Sequence, residues 1–179
     1  MNTYVKKMLD EILNEYDDVV SKGSHDIGNC KLVKHDIRLN NERLIKRKQS
    51  PRSAKENEWI KGQIDEMLNN RVIEPSTSPY AFNIVIVGKK DGAGEGMDRM
   101  CLNYAPLNEV IEKDSGPIPI IKEYLAGVKW LTVLDLASAY WQILLTKRSQ
   151  KYTAFLTAYG LYQFKVMPFG LVNAPATFQ

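Results

Sequence analysis

Val5, Met8, Leu9, Ile12 and Tyr16 fall on one side of a 3.6-residue repeat, which predicts an amphipathic helix over about residues 4–16. Nothing on it suggests chemistry, and its apolar stripe is expected to dock on a neighbour. Residues 21–52 lose that periodicity and read as an extended connector. Ser53 and Glu56 have the spacing of a capping box, with the serine closing the helix start and the glutamate reaching back. Ile60, Ile64, Met67 and Leu68 then carry a helical stripe to about residue 70. Pro75, Ser76, Ser78 and Pro79 break the chain. Phe82, Ile84 and Ile86 alternate with Asn83, Val85 and Val87, the period of a strand. A turn at Lys89-Lys90-Asp91-Gly92 and a second strand near 99–104 complete a hairpin. Pro117-Ile118-Pro119 leads into a short helix at about 119–126, with Gly127 as its stop. Residues 130–136 are the most apolar strand-like run, and Asp135 stands near its end. Residues 152–157 and 161–166 flank Ala158-Tyr159-Gly160 as a second hairpin. Pro175 suits the first turn of a last helix. One turn of helix cannot cover a sheet, so the pattern reads as an α+β fold cut short. Residues 1–52 form a helix and connector, and residues 53–179 form the folded domain.

Composition narrows this picture without redirecting it. The 179 residues suit one domain or a large part of one, and the apolar and charged fractions are those of a globular chain. No run of about 18 apolar residues exists and the first residues lack a signal-peptide core, so an intracellular location, cytoplasmic or nuclear, is expected, with no membrane partner. Cys30 and Cys101 lie far apart and read as free thiols. His25, Cys30 and His35 are evenly spaced but lack a fourth ligand and a zinc pattern. The net charge is only +3, yet Lys31, Lys34, Arg38, Arg43, Lys46, Arg47, Lys48, Arg52 and Lys55 crowd one stretch against Asp36 and Glu42. Such a run is either a solvated linker or a track for a phosphate backbone.

Asp135 poses the chemical question. A buried, ionised carboxylate must be paired or bind a metal, because desolvating it alone costs several kcal/mol or more. The bland alternative is an N-cap for a short helix beginning near Ala137. The surrounding blocks bear on that choice. Arg71-Val72-Ile73-Glu74-Pro75-Ser76-Thr77-Ser78-Pro79-Tyr80-Ala81, Lys89-Lys90-Asp91-Gly92, Arg99-Met100-Cys101-Leu102-Asn103-Tyr104 and Leu107-Asn108 come first. Pro117-Ile118-Pro119, Leu134-Asp135-Leu136-Ala137-Ser138-Ala139-Tyr140 and Phe164-Lys165-Val166-Met167-Pro168-Phe169-Gly170-Leu171-Val172-Asn173-Ala174-Pro175-Ala176-Thr177-Phe178-Gln179 follow in order. Together they resemble the fingers and early palm of gypsy-type LTR-retrotransposon reverse transcriptases. Residues 1–70 resemble, more weakly, the connector between protease and polymerase in such polyproteins.

The resemblance implies an RNA-directed DNA polymerase, in which a primer hydroxyl attacks a dNTP on an RNA or DNA template. Two divalent ions, magnesium or manganese, assist the attack. Asp135 would be the first carboxylate ligand, with the backbone carbonyl of Leu136 beside it. Lys89 and Arg99 would meet the triphosphate; their plain readings are a solvated turn lysine and a surface ion pair. Tyr140 would lie beneath the sugar and reject a 2′-hydroxyl; its plain reading is a core tyrosine. Phe169 and Gly170 would line the nucleotide pocket, or simply make a turn. Pro79 and Tyr80 would lie along the template, or simply end a loop.

Departures matter as well. Asn103-Tyr104-Ala105 replaces the usual Asp-Tyr-Arg and loses a supporting ion pair. Phe82-Asn83 stands where Ser-Pro is common, residues 92–98 lengthen the fingertip turn, and Ala139 replaces a frequent glycine. The family's Tyr-x-Asp-Asp hairpin, with its two further carboxylates, does not occur in the sequence, and Tyr16-Asp17-Asp18 is a decoy in a polar setting. Thumb, RNase H and integrase regions are likewise not within these residues. The isolated chain is therefore expected to be inactive. The alternative is a non-catalytic nucleic-acid-binding or degenerate remnant of a retroelement.

Overall fold

A computed structural model describes residues 3–23, 26–88, 97–114, 116, 127–129 and 131–179. The helices are α1 (Thr3–Glu15), α2 (Ala54–Asn69), α3 (Ala105–Asn108), α4 (Lys147–Gln150) and α5 (Ala174–Phe178). The strands are β1 (Cys30–His35), β2 (Ile73–Pro75), β3 (Ile84–Gly88), β4 (Met97–Leu102), β5 (Ile143–Leu145), β6 (Phe155–Thr157) and β7 (Gly160–Phe164). They form an antiparallel β2-β7-β6 sheet, an antiparallel β3-β4 hairpin and a parallel β1-β5 pair. This mixed architecture matches the expected α+β class.

Helix α2 starts where its capping box places it. The Glu56 amide donates to the Ser53 hydroxyl at 3.2 Å, and the Ser53 amide donates to the Glu56 carboxylate at 2.7 Å. Its buried face is Ile60, Ile64 and Met67. At the far end Arg71 adopts a left-handed φ of 57°. The Arg71 amide then reaches the Leu68 carbonyl and the Val72 amide reaches Met67, the paired bonds that terminate a helix and bury Val72 against the core. On β3, Ile84 is buried and Val85 exposed, so the predicted alternation holds.

The core gathers around Tyr104, Phe82 and Phe155, all essentially inaccessible. The Phe82 and Tyr104 rings meet edge to face at 5.2 Å. The Tyr104 hydroxyl donates to the Thr153 carbonyl at 2.9 Å, which satisfies a phenol that burial would otherwise penalise. Complete burial also pushes its pKa up.

Three expectations change. First, residues 131–136 form no strand: Leu131, Val133, Leu134 and Leu136 are exposed, Leu134 at 86 %. A strand needs a partner to take its backbone hydrogen bonds, and none of the described residues pairs with this segment. Asp135 is accordingly exposed, not buried. Second, the stretch after residue 29 is extended but is no detached linker. β1 pairs with β5, Leu39 bridges Ile111, Lys46 bridges Ala81, and Ile37 enters the core. The boundary at residue 52 is thus one of sequence character, and packing crosses it. Third, Met8, Leu9, Ile12 and Leu13 on α1 are exposed, so that face has no cover among the described residues. The helix expected at 119–126 and His25 lie outside the described residues. The second hairpin is shorter than its pattern, because residues 151–153 form a 3₁₀ turn before β6.

Candidate active site

The site is built where β4, α2 and the loop after β7 converge. They enclose a cleft of about 560 Å³, within the range of small-molecule sites. Arg99 brings a cation from β4, and Phe169 and Gly170 come from the loop after β7. Gln63, Met67 and Trp141 complete much of the wall, and no carboxylate among the described residues lines it. A cleft with one guanidinium and several apolar faces suits a ligand that is anionic at one end and flat at the other.

Gly170 holds this loop by its conformation. Its φ is +92°, a region costly to side chains, and a Cβ would lie 3.7 Å from both the Leu102 carbonyl oxygen and the Tyr104 ring. Those contacts are ordinary van der Waals distances, so it is the backbone conformation, not a shortage of space, that favours glycine here. Asn108 at the end of α3 then clamps the loop from both directions. Its Nδ2 donates to the Gly170 carbonyl at 2.8 Å, and its Oδ1 accepts from the Val172 amide at 3.0 Å. Asn173 answers with a matching pair, donating to the Glu112 carbonyl at 2.8 Å and accepting from the Asp114 amide at 3.1 Å.

Tyr140 sits in a 3₁₀ turn, Ala139–Gln142, entered through Ser138 in a left-handed conformation. Gln142 pins this turn by donating to the Ala137 carbonyl at 2.9 Å. The Tyr140 ring packs on Phe169 at 5.2 Å and on Phe178 at 5.7 Å, and Trp141 lies 6.0 Å from Phe169. The turn thus delivers an aromatic group to the edge of the cleft.

The structure therefore brings Arg99, Phe169 and Gly170 together in the cleft wall, with Tyr140 packed on Phe169 but not itself lining the cleft. It does not bring Asp135 or Leu136 into the cleft wall, and Lys89 lies outside the described residues. Pro79 is exposed, but Tyr80 is 3 % exposed and packs edge-on against Tyr152 at 5.1 Å. The Tyr80 ring is thus a core group in this structure, and burial raises its pKa. Sequence reasoning assigned no role to Asn108, Gln63, Met67 or Trp141. Asn108 belongs to the Leu107-Asn108 block, which was its only signal.

The metal expectation meets a plain test of donor chemistry. A pair of divalent ions needs several converging oxygen ligands. Asp135 is solvent-exposed on an irregular segment, and no group of three acidic, histidine or cysteine side chains converges among the described residues. The described residues do not by themselves fit a two-metal centre.

Comparison with known proteins agrees with the blocks and the fold. Residues 87–179 match the family model described as reverse transcriptase (RNA-dependent DNA polymerase). The chain is 37 % identical over 178 residues to the retrovirus-related Pol polyprotein from transposon opus of Drosophila melanogaster, covering 97 % of this chain and 18 % of the relative. It is 35 % identical over 151 residues to the enzymatic polyprotein of cauliflower mosaic virus strain NY8153, covering 82 % of this chain and 22 % of that protein. The fold resembles the prototype foamy virus protease–reverse transcriptase, with a TM-score of 0.85, 28 % identity, and coverage of 99 % of this chain and 24 % of the other. The foamy viral enzyme in complex with an RNA/DNA hybrid gives a TM-score of 0.82 at 25 % identity, covering 99 % and 24 %. The chain spans less than a fifth of the Drosophila relatives it matches. By motif, fold and relatives alike, the chain belongs to the reverse transcriptase family.

Proposed function

We propose that this chain forms the fingers and the first part of the palm of a gypsy-type retrotransposon polymerase, which adds dNTPs to a primer on an RNA or DNA template. The observation that carries this reading is the cleft itself, where a cation, a glycine loop and an aromatic edge meet. In this reading Arg99 receives the triphosphate, joined by Lys89. The Tyr140 ring, backed by Phe169, lies beneath the sugar and leaves no room for a 2′-hydroxyl. Gly170 lets the backbone approach the nucleotide, and Asn108 keeps that backbone in place. Pro79 lies toward the template strand. Asp135 contributes one carboxylate, and the additional ligands for magnesium or manganese come from outside residues 1–179, as do the thumb, RNase H and integrase regions. The chain alone is therefore expected not to extend a primer.

The test is photolabelling of the chain by an azido-dNTP in the presence of a template–primer. Labelled peptides are expected from β4 and the 168–170 loop. Arg99→Ala is expected to lower labelling about tenfold, the scale of one charge-assisted hydrogen bond removed. Tyr140→Ala is expected to let ribonucleotides compete as well as deoxynucleotides. Labelling spread evenly over the surface, insensitive to both substitutions, would defeat the proposal.

A further inference from the structure

Tyr140 is pressed between two rings that arrive from different parts of the chain. Phe169 comes from the loop after β7 and lies in the cleft wall, and Phe178 comes from α5. A helix as short as α5 does not hold itself and depends on what it is tied to. Its start is fixed by Asn173, bonded to the backbone of Glu112 and Asp114. Toward its end stands Thr177, whose hydroxyl oxygen lies 2.7 Å from Nδ1 of His35.

His35 is a well-anchored post. Its side chain is 2 % exposed, so close packing confines the ring to one position. It stands opposite Leu145 in the parallel β1-β5 pair, and its carbonyl accepts from the Thr146 amide at 3.0 Å. The next residues are tied as firmly. Asp36 accepts from the Thr146 hydroxyl at 2.7 Å and from Nε of Arg148 at 2.8 Å, and the Ile37 amide donates to the Ser149 hydroxyl at 2.8 Å. β5 matters here because the turn that carries Tyr140, Ala139–Gln142, runs straight into it. β1 therefore grips both stretches of backbone that bring Tyr140 and Phe178 together. It holds one through its pairing with β5, and the other through a side-chain bond to α5.

We propose that His35 is a positioning residue for the sugar side of the nucleotide site: by holding Thr177 it sets α5, so that Phe178 keeps the Tyr140 ring on Phe169. The proposal rests on the polymerase reading above, in which the Tyr140 ring selects deoxynucleotides. His35 does not line the cleft and acts on it only through α5. Excluding one hydroxyl by contact requires the ring to be placed to within about 0.5 Å. Tyr140 is only half-buried, so a loosened α5 withdraws Phe178 and gives the ring room to follow.

Threonine variants of the full chain test this. Thr177→Val keeps the shape of the side chain and removes its hydroxyl, whereas Thr177→Ser keeps the hydroxyl. Thr157→Val makes the same chemical change at the β6–β7 turn, where the hydroxyl donates to the Gly160 carbonyl away from the cleft wall. Fluorotyrosine at position 140 reports the ring by fluorine NMR. Photolabelling by an azido-dNTP against the matching azido-ribonucleotide, with template–primer present, reports the sugar preference. Both are read well below the melting temperature of each variant, where a purely stabilising bond would leave them unchanged. Thr177→Val is expected to move or split the fluorine resonance and to lower the preference for deoxynucleotides about fivefold, the scale of one ordinary net hydrogen bond. Thr177→Ser and Thr157→Val are expected to behave like the parent. Should Thr177→Val fail to fold, Thr177→Ala carries the same comparison. A resonance that stays put in Thr177→Val, or moves equally in Thr157→Val, overturns the inference. So does a moved resonance with an unchanged sugar preference. In each of these cases a parent that prefers deoxynucleotides leaves the polymerase reading standing. A parent with no sugar preference defeats that reading, and the role of His35 with it.

Discussion

Asn108 shows how much one side chain can do for the cleft. Its amide joins two backbone groups of the 170–172 loop that have no regular secondary structure to satisfy them. Asn108→Ala should cost about 1–2 kcal/mol, the sum of two ordinary net hydrogen bonds discounted for solvent access. Chemical denaturation measures it, and Asn108→Asp should recover only the bond to the Val172 amide. A second residue with a measurable signature is His35, at the end of β1 and buried against α5. Its Nδ1 lies 2.7 Å from the Thr177 hydroxyl. Burial lowers its pKa from the ordinary 6.5, while Asp114 and Asp36 pull it upward less strongly. The folded state therefore binds this proton less readily than the unfolded chain. Its stabilising contribution is complete above pH 6.5 and drains away as pH falls below that value. Asp36 is held well below its usual 3.8 chiefly by its hydrogen bonds from Arg148, so its own loss begins only in stronger acid. Urea midpoints should thus drop between about pH 7.5 and 5.5, and His35→Gln should flatten that drop. A parent midpoint that is level across the interval would refute the assignment.

At the scale of elements, α2 was legible because local rules and packing agree. Its start is set by Ser53 and Glu56, and its stripe by Ile60, Ile64 and Met67. Ser53→Ala should cost about 1 kcal/mol, the usual value of a missing cap. Its end was less legible, since Arg71 occupies a left-handed position that glycine normally takes. Arg71→Gly should stabilise the chain by roughly 0.5 kcal/mol, the relief of left-handed strain partly offset by a freer unfolded state. An unfolding midpoint that moves down would show that Arg71 makes compensating interactions. The β1-β5 pair was not legible at all. Exposed Lys31, Leu32, Val33 and Lys34 carry no inward face, and the pairing depends on a strand more than a hundred residues away. The cleft shows the same division. Arg99, Phe169 and Gly170 were found through their blocks, whereas Gln63 and Met67 enter only because α2 packs across β4. The burial of Tyr80 was not legible for a related reason: its block gave it a neighbourhood, but packing against Tyr152 is a tertiary fact.

For the molecule as a whole, the telling feature is the contrast between residues 131–136 and the sheets nearby. β7 is flanked on both sides, by β2 and β6, and β5 is tied to β1 and to residues 165–167. The segment before Tyr140 has comparable strand-forming residues but no such ladder among the described residues. Val133 is 81 % exposed and Leu134 86 %. β-propensity fits a half-buried pleated surface and does not create one. The same residues would be well placed once another strand lay beside them, and until then they form an adhesive apolar patch. Hydrogen exchange should show this directly. Amides of 131–136 are expected to exchange near the unfolded-chain rate, while those of Ile143–Leu145 and Gly160–Phe164 remain protected to the level of global unfolding. Val133→Lys/Leu134→Lys should leave the stability within about 0.5 kcal/mol, as for exposed positions elsewhere. It should also raise the concentration at which the chain stays monomeric in sedimentation. Strong protection in 131–136, or a large loss of stability in the lysine variant, would mean that the segment already has a partner. Asp135 would then stand on a paired strand, as the apolar pattern first suggested.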